Sequence, residues 1–140
     1  MSSLAAGFSE EDRANLRIVD PRIGRVLGFL EANLHRPLSA NDLARETGLS
    51  LSRFSHLFRL ETGSSPARML LRMRVTRAAE LLTATRLPLK EVSARVGMEN
   101  AGVFGRVFRS FYEMTPRQFR RVRQGRFQFQ PTVIAEIVNK

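Results

Sequence analysis

No cysteine occurs in the 140 residues, so neither a disulfide framework nor a thiolate metal site can form. Histidine is nearly absent: His35 falls in a turn and has no helical ligand spacing to His56, so no metal site is expected. No apolar run approaches the ~20 residues of a membrane span, and the N-terminus lacks the apolar core of a signal peptide. The expectation is a soluble cytoplasmic protein without a membrane partner. A phosphate-cradling glycine loop and a histidine–carboxylate–serine set are also missing, which argues against an enzyme and leaves no cofactor expected. Lysine is scarce as well. The 23 basic residues are 21 arginines and 2 lysines, set against 13 acids for a net charge of +10.

That charge is unevenly placed. Residues 1–50 hold 6 arginines and 7 acids, whereas residues 51–140 hold 17 basic and 6 acidic residues. Arginine forks match phosphate oxygens and guanine edges, so a polyanionic partner is expected, nucleic acid foremost. The plainer alternatives are a solvated basic surface or a patch for acidic lipids. At this length a single domain with short tails can bury one core.

Helical periodicity runs through the chain, and strand alternation is nearly absent before residue 126. A first helix is expected from about Arg22 to Leu34, with Ile23, Val26, Leu27 and Leu30 on one face. Ser39 can cap a second helix, with Asp42 as its capping-box partner, Leu43 inward and Gly48 at its end. Ser50 starts a third, which Gly63 stops. From Ser65-Pro66 a long helix follows, with Leu70, Arg74, Ala78, Leu81 and Leu82 marking its repeat. Pro88 opens a fifth, with Val92 and Val96 inward and Gly97 closing it. The sixth spans Asn100 to Tyr112, and Thr115-Pro116 opens a seventh. The fold class is therefore all-α: seven helices, with two helix-turn-helix units joined by a long linker helix.

Those units are two copies of one device, at about 39–62 and 88–112. FSHLFR (54–59) returns as FGRVFR (104–109), and the turn glycines 48 and 97 and the pairs 65–66 and 115–116 align. On the third helix Phe54, Leu57, Phe58 and Glu61 share the core face, as do Phe104, Val107, Phe108 and Phe111 on the sixth. The opposite faces carry Ser52, Ser55, His56 and Arg59, and Gly102, Gly105, Arg106 and Arg109. In a helix-turn-helix the second helix offers such a face to base edges in the major groove. A linker of about 17 residues spans roughly 26 Å, close to the ~34 Å that separates half-sites one duplex turn apart. One chain would then act as a covalent, asymmetric dimer reading two unlike half-sites.

The stretches PLSANDLARETGLSLSRFSHLFRLETGSSP, RMRVTRAAELL and VSARVGMENAGVFGRVFRSFYEMTPRQFR resemble the DNA-binding domain of the AraC/XylS family of bacterial transcription regulators. The resemblance covers about Ile23 to Arg121. It implies a sequence-specific regulator of double-stranded DNA, an activator that contacts RNA polymerase, acting in the bacterial cytoplasm at the nucleoid. By position, the first reading helix would use Ser52, Arg53, Ser55 and His56, with Arg59 nearer the backbone. The second would use Asn100, Ala101, Gly102, Val103, Gly105 and Arg106, with Arg109 in the place of Arg59. Tyr112-Glu113 stands where the family often has a glycine, so a different cap is expected there.

The resemblance divides the chain into a tail or linker at 1–20, the DNA-binding domain at 21–123 and an extension at 124–140. Family members usually carry a further N-terminal domain, so two readings stand: a stand-alone member, which Met1 favours, or part of a longer regulator. Either way a monomer is expected on DNA, with dimerisation through the tail or a missing domain as the alternative. The tail's Phe127/Phe129 alternation suggests a short strand and TVIAEIV a further apolar element. Arg106 is the expected guanine reader, with a phosphate contact as its alternative. Gly102 and Gly105 suggest close approach to DNA, or drift at exposed positions. Arg74 is expected to anchor an ion pair. Arg117, Arg120, Arg121, Arg123 and Arg126 would grip phosphates or form a solvated basic end. The competing function is a non-sequence-specific architectural nucleic-acid-binding protein.

Overall fold

The computed structural model describes residues 20–125, and every regular element among them is a helix. The seven are α1 (Pro21–Ala32), α2 (Ala40–Thr47), α3 (Leu51–Thr62), α4 (Pro66–Ala84), α5 (Leu89–Arg95), α6 (Ala101–Tyr112) and α7 (Pro116–Arg123). None is long and apolar enough to cross a membrane. The segment 1–19, Arg126, the Phe127/Phe129 alternation and TVIAEIV lie outside the described residues.

Local chemistry sets the helix ends. Asp20 caps α1, accepting from the backbone N–H of Arg22 at 2.9 Å, and Pro21 occupies the first turn. Ser39 and Asp42 form a reciprocal capping box at α2: the Asp42 N–H donates to Ser39 Oγ at 3.2 Å, and the Ser39 N–H donates to Asp42 Oδ2 at 2.8 Å. Thr115 and Gln118 do the same for α7. Gly48 and Gly63 end α2 and α3 in the left-handed conformation, with φ of 75° and 77°.

Among the described residues the chain divides into two compact units between Thr76 and Arg77, inside α4. In the first, Ile23, Val26, Leu27 and Leu30 of α1 and Leu43 of α2 pack with Phe54 and Phe58 of α3 and Met73 of α4. Arg74 is buried among them. Its Nε donates to the Leu34 carbonyl at 3.1 Å and its Nη2 to the Arg36 carbonyl at 2.7 Å. It therefore anchors the turn after α1 through backbone oxygens rather than through the expected ion pair. Burial pushes its guanidinium pKa down. Glu61, on the inward side of α3, accepts from the Asp20 N–H with both carboxylate oxygens, at 3.0 and 3.1 Å. A carboxylate on the core face thus ties α3 to the start of α1.

In the second unit Ala78 and Leu82 of α4, Val92 of α5, Val96, and Phe104 and Phe108 of α6 are fully or almost fully buried. Arg120 Nε and Gln124 Nε2 donate to the Leu82 carbonyl at 3.2 and 3.0 Å, closing the end of α4. The different cap expected at Tyr112-Glu113 is not found. Glu113 takes the same left-handed conformation as Gly63, with φ of 60°, and its N–H donates to the Arg109 carbonyl at 2.8 Å. The hydrogen bond decides the geometry, and the side chain only raises its energy.

Candidate nucleic-acid interface

The short loops before α3 and α6 are locked by hydroxyls at different places. In the first unit Thr47 Oγ1 donates to the Ala44 carbonyl at 2.6 Å and accepts from the Leu49 N–H at 3.1 Å. In the second, the fully buried Ser93 donates to the Met98 carbonyl. Each following helix is then capped: Ser50 Oγ accepts from the Arg53 N–H at 3.2 Å, and Asn100 Oδ1 from the Val103 N–H at 3.0 Å. The entries into α3 and α6 are fixed by these bonds, independently of what the outer faces carry.

From Leu51 to Met69 and from Ala101 to Phe119, every residue is as buried, half-buried or exposed as its counterpart 50 positions on. The repeat seen in the letters is thus a repeat in burial. Phe54 and Phe104 lead the inward face of each helix, with Phe58 and Phe108 one turn later. On the outward face of α3, Ser52, Arg53, His56 and Arg59 are exposed and Ser55 is half-buried. On α6, Ala101, Gly102, Val103, Arg106 and Arg109 are exposed, Gly105 is half-buried, and the exposed Asn100 caps the helix. The five of the first set are brought onto α3 and the seven of the second onto α6 and its cap, and the two sets stand in different units.

Two residues of the same rim escaped the sequence reading. Ser50 and Leu51 are the counterparts of Asn100 and Ala101, and Leu51 is 41% exposed. Applying the 50-residue offset backwards from Asn100 and Ala101 finds both.

The electrostatics of these faces are one-signed. Arg53 and Arg59 stand on α3, and Arg106 and Arg109 on α6. The sole carboxylate in these two helices, Glu61, is turned to the Asp20 N–H. Arg59 and Arg109 also sit in last turns, where a cation complements the helix dipole. Such a face can attract a polyanion and offer a guanidinium fork to phosphate or guanine.

A family model described as a helix-turn-helix domain matches residues 43–122. The chain belongs to the AraC-type helix-turn-helix family. Its relatives include the transcriptional regulator GbdR of Pseudomonas aeruginosa, 30% identical over 117 residues, which are 84% of this chain and 31% of GbdR. The chain therefore spans about a third of that relative's length. Among solved structures, an AraC-type regulator from Chromobacterium violaceum is 29% identical, with a TM-score of 0.69 over 74% of this chain and 92% of that one. The DNA-binding domain of AdpA, solved with a target DNA, is 28% identical, with a TM-score of 0.73 over 77% and 96%. AraC-type membership gives the domain its general character, that of a DNA-binding domain of a transcriptional regulator rather than an enzyme.

Proposed function

We propose that this chain reads an asymmetric double-stranded DNA site, presenting the outward faces of α3 and α6 to successive stretches of the major groove, and activates transcription through contact with RNA polymerase. The observation that carries the reading is the exact-offset burial repeat with changed outward letters: two helices share a buried half and present Ser52, Arg53, Ser55 and His56 on one and Gly102, Val103, Gly105 and Arg106 on the other. A symmetric reader would keep those letters alike. Arg106 is the guanine reader, because arginine reaches both acceptors of guanine with two parallel bonds. Arg53, Arg59 and Arg109 supply phosphate contacts, and Ala101 and Val103 apolar contact for thymine methyls. Ser50 and Leu51 extend the first face.

The N-terminal segment 1–20, the domain at 21–123 and the extension at 124–140 divide the work: the central part reads DNA as a monomer, and dimerisation falls to the tail or to a further domain. On this reading the protein acts in the bacterial cytoplasm, at the nucleoid. The charge of +10 also supports a second reading, a non-specific architectural protein. Selection from random duplexes tests the first reading, followed by competition of the selected site against bulk DNA at physiological salt. A bipartite, non-palindromic motif that outcompetes bulk DNA is expected. No enriched motif, with binding steeply salt-dependent yet indifferent to sequence, would establish the architectural reading instead.

A further inference from the structure

Two glycines stand inside α6, and their surroundings differ. A Cβ at Gly105 would meet nothing within 4 Å. A Cβ at Gly102 would lie 3.2 Å from Oδ1 of Asn100 and 3.9 Å from Nη1 of Arg106. The Arg106 guanidinium is therefore laid back by one turn, toward the helix N-terminus, beside the bare backbone of Gly102. Long side chains on helices lean in that direction. The Asn100 oxygen at the same spot is engaged as the N-cap, accepting from the Val103 N–H, so it cannot retreat without loosening the first turn.

The first unit fills the same three places differently. Ser50 is the cap, Ser52 stands in the place of Gly102, and His56, a shorter side chain, stands in the place of Arg106. A side chain is present where the residue one turn later is short, and absent where it is long. Helix propensity does not explain the choice, since glycine weakens a helix interior wherever it stands. A Cβ alone at 102 would only touch the guanidinium, at 3.9 Å, so it is the carbons of a larger side chain that would take its place.

Resting on the DNA-reading role proposed above, we infer that Gly102 is a positioning residue for Arg106: its missing side chain is the slot that holds the guanidinium over the first turn of α6 and so fixes which base pair Arg106 reads. Base edges are contacted from the N-terminal part of a recognition helix. A guanidinium held there faces the groove floor, whereas one lifted from the helix swings toward the phosphate strand, where it carries no sequence information. A β-branched side chain at 102 fills the slot with carbon.

The test uses the full chain and four variants: Gly102→Val, Gly105→Ala, Arg106→Ala, and the double change Gly102→Val with Arg106→Ala. The readout is competition among all single-base variants of the selected duplex, giving the preference at each position. Gly102→Val is expected to lower discrimination at the Arg106-dependent base pair about tenfold, the scale of one bidentate contact. Gly102→Val changes nothing further once Arg106 is alanine, the non-additivity that marks a shared interaction. The inference is overturned if Gly102→Val keeps the discrimination, or if its effect persists in full alongside Arg106→Ala. An Arg106→Ala chain that keeps every base preference would overturn the reader assignment itself, and this inference with it. If Gly102→Val melts at a lower temperature than the parent by more than Gly105→Ala shifts it, Gly102→Leu, which is not β-branched, carries the same expectation.

Discussion

In the first unit Phe54 and Phe58, with ring centroids 5.6 Å apart, pack against aliphatic residues of α1, α2 and α4. In the second, Phe104 and Phe108 keep nearly the same spacing, 5.8 Å, but Phe108 also stacks on Tyr112 at 4.6 Å and meets Phe119 edge-on at 5.4 Å. Thr62 and Met69 occupy the places of Tyr112 and Phe119 in the first unit. The helix that follows diverges on its outside too. Ala67 and Leu71 line a mostly apolar cleft of about 260 Å³ with Leu38, Leu43 and Leu70, whereas their counterparts in the second unit are Arg117 and Arg121. One backbone plan thus tolerates exchange of its inner packing in part and of its outer letters almost wholly. What is held in common is the phenylalanine pair, the capped entry and the left-handed exit.

Removing the shared part should hurt both units alike. Phe54→Ala and Phe104→Ala are each expected to cost about 3–5 kcal/mol, because both rings are fully or almost fully buried. Urea unfolding of each variant measures it. A loss in one unit but not the other would break the equivalence of the two scaffolds.

Altering the outward letters should separate the units. Arg106→Ala is expected to weaken binding to the selected site by about 1–3 kcal/mol and to relax preference at one or two base pairs of one half-site. His56→Ala should change preference only in the other half. Quantitative binding to single-base variants of the site reads both effects, and a shared position would count against independent readers.

The exits of α3 and α6 give a smaller and cleaner contrast. Gly63 takes the left-handed conformation without a Cβ penalty, while Glu113 takes it with one. Glu113→Gly should stabilise the domain by about 1 kcal/mol, and Gly63→Glu should destabilise it by a similar amount. Thermal melting of the two variants decides the sign of each.

The smallest expected effect lies at the start of α1. The Arg22 side chain, and then its backbone N–H, hold the Asp20 carboxyl down at about 2 from its ordinary 3.8. A carboxylate depressed in the folded state contributes stability that is complete above its ordinary pKa and is lost as pH falls through the depressed one. The contribution should therefore fade between about pH 4 and pH 2 and be missing from an Asp20→Asn chain. Acid titration of the two by circular dichroism should show curves that converge at the lowest pH. No aspartate occurs in residues 77–140, so the second unit has no counterpart of this cap.

Helix number, the turns, the cap at Ser39 and the inward phenylalanines were legible in the sequence because each rests on local rules: a 3.6-residue period, a capping pair, a glycine. Three features were not. The Arg74 guanidinium reaches carbonyls some 40 positions earlier, a pairing no local spacing encodes. Glu61 falls on the core face by spacing, but its partner there, the Asp20 N–H, lies 41 positions earlier. Glu113 read as a break in the pattern, because letters report the cost of a left-handed cap and not the hydrogen bond that imposes it. On the outward faces of α3 and α6, the sequence singled out most of the exposed positions but not Ser50, Leu51, Leu60 or Ser110. What separates Gly102 from Gly105 is the nearness of the Asn100 cap oxygen and the Arg106 guanidinium, which no spacing in the sequence encodes.

The claim that two different readers stand on one scaffold is tested most directly by transplanting one face onto the other. Ser50→Asn, Leu51→Ala, Ser52→Gly, Arg53→Val, Ser55→Gly and His56→Arg together give α3 the reading letters of α6 while leaving Phe54, Leu57 and Phe58 in place. Selection from random duplexes should then return a site in which both halves carry the sequence formerly read by α6 alone, from a chain that still folds. An unchanged first half-site would contradict the account.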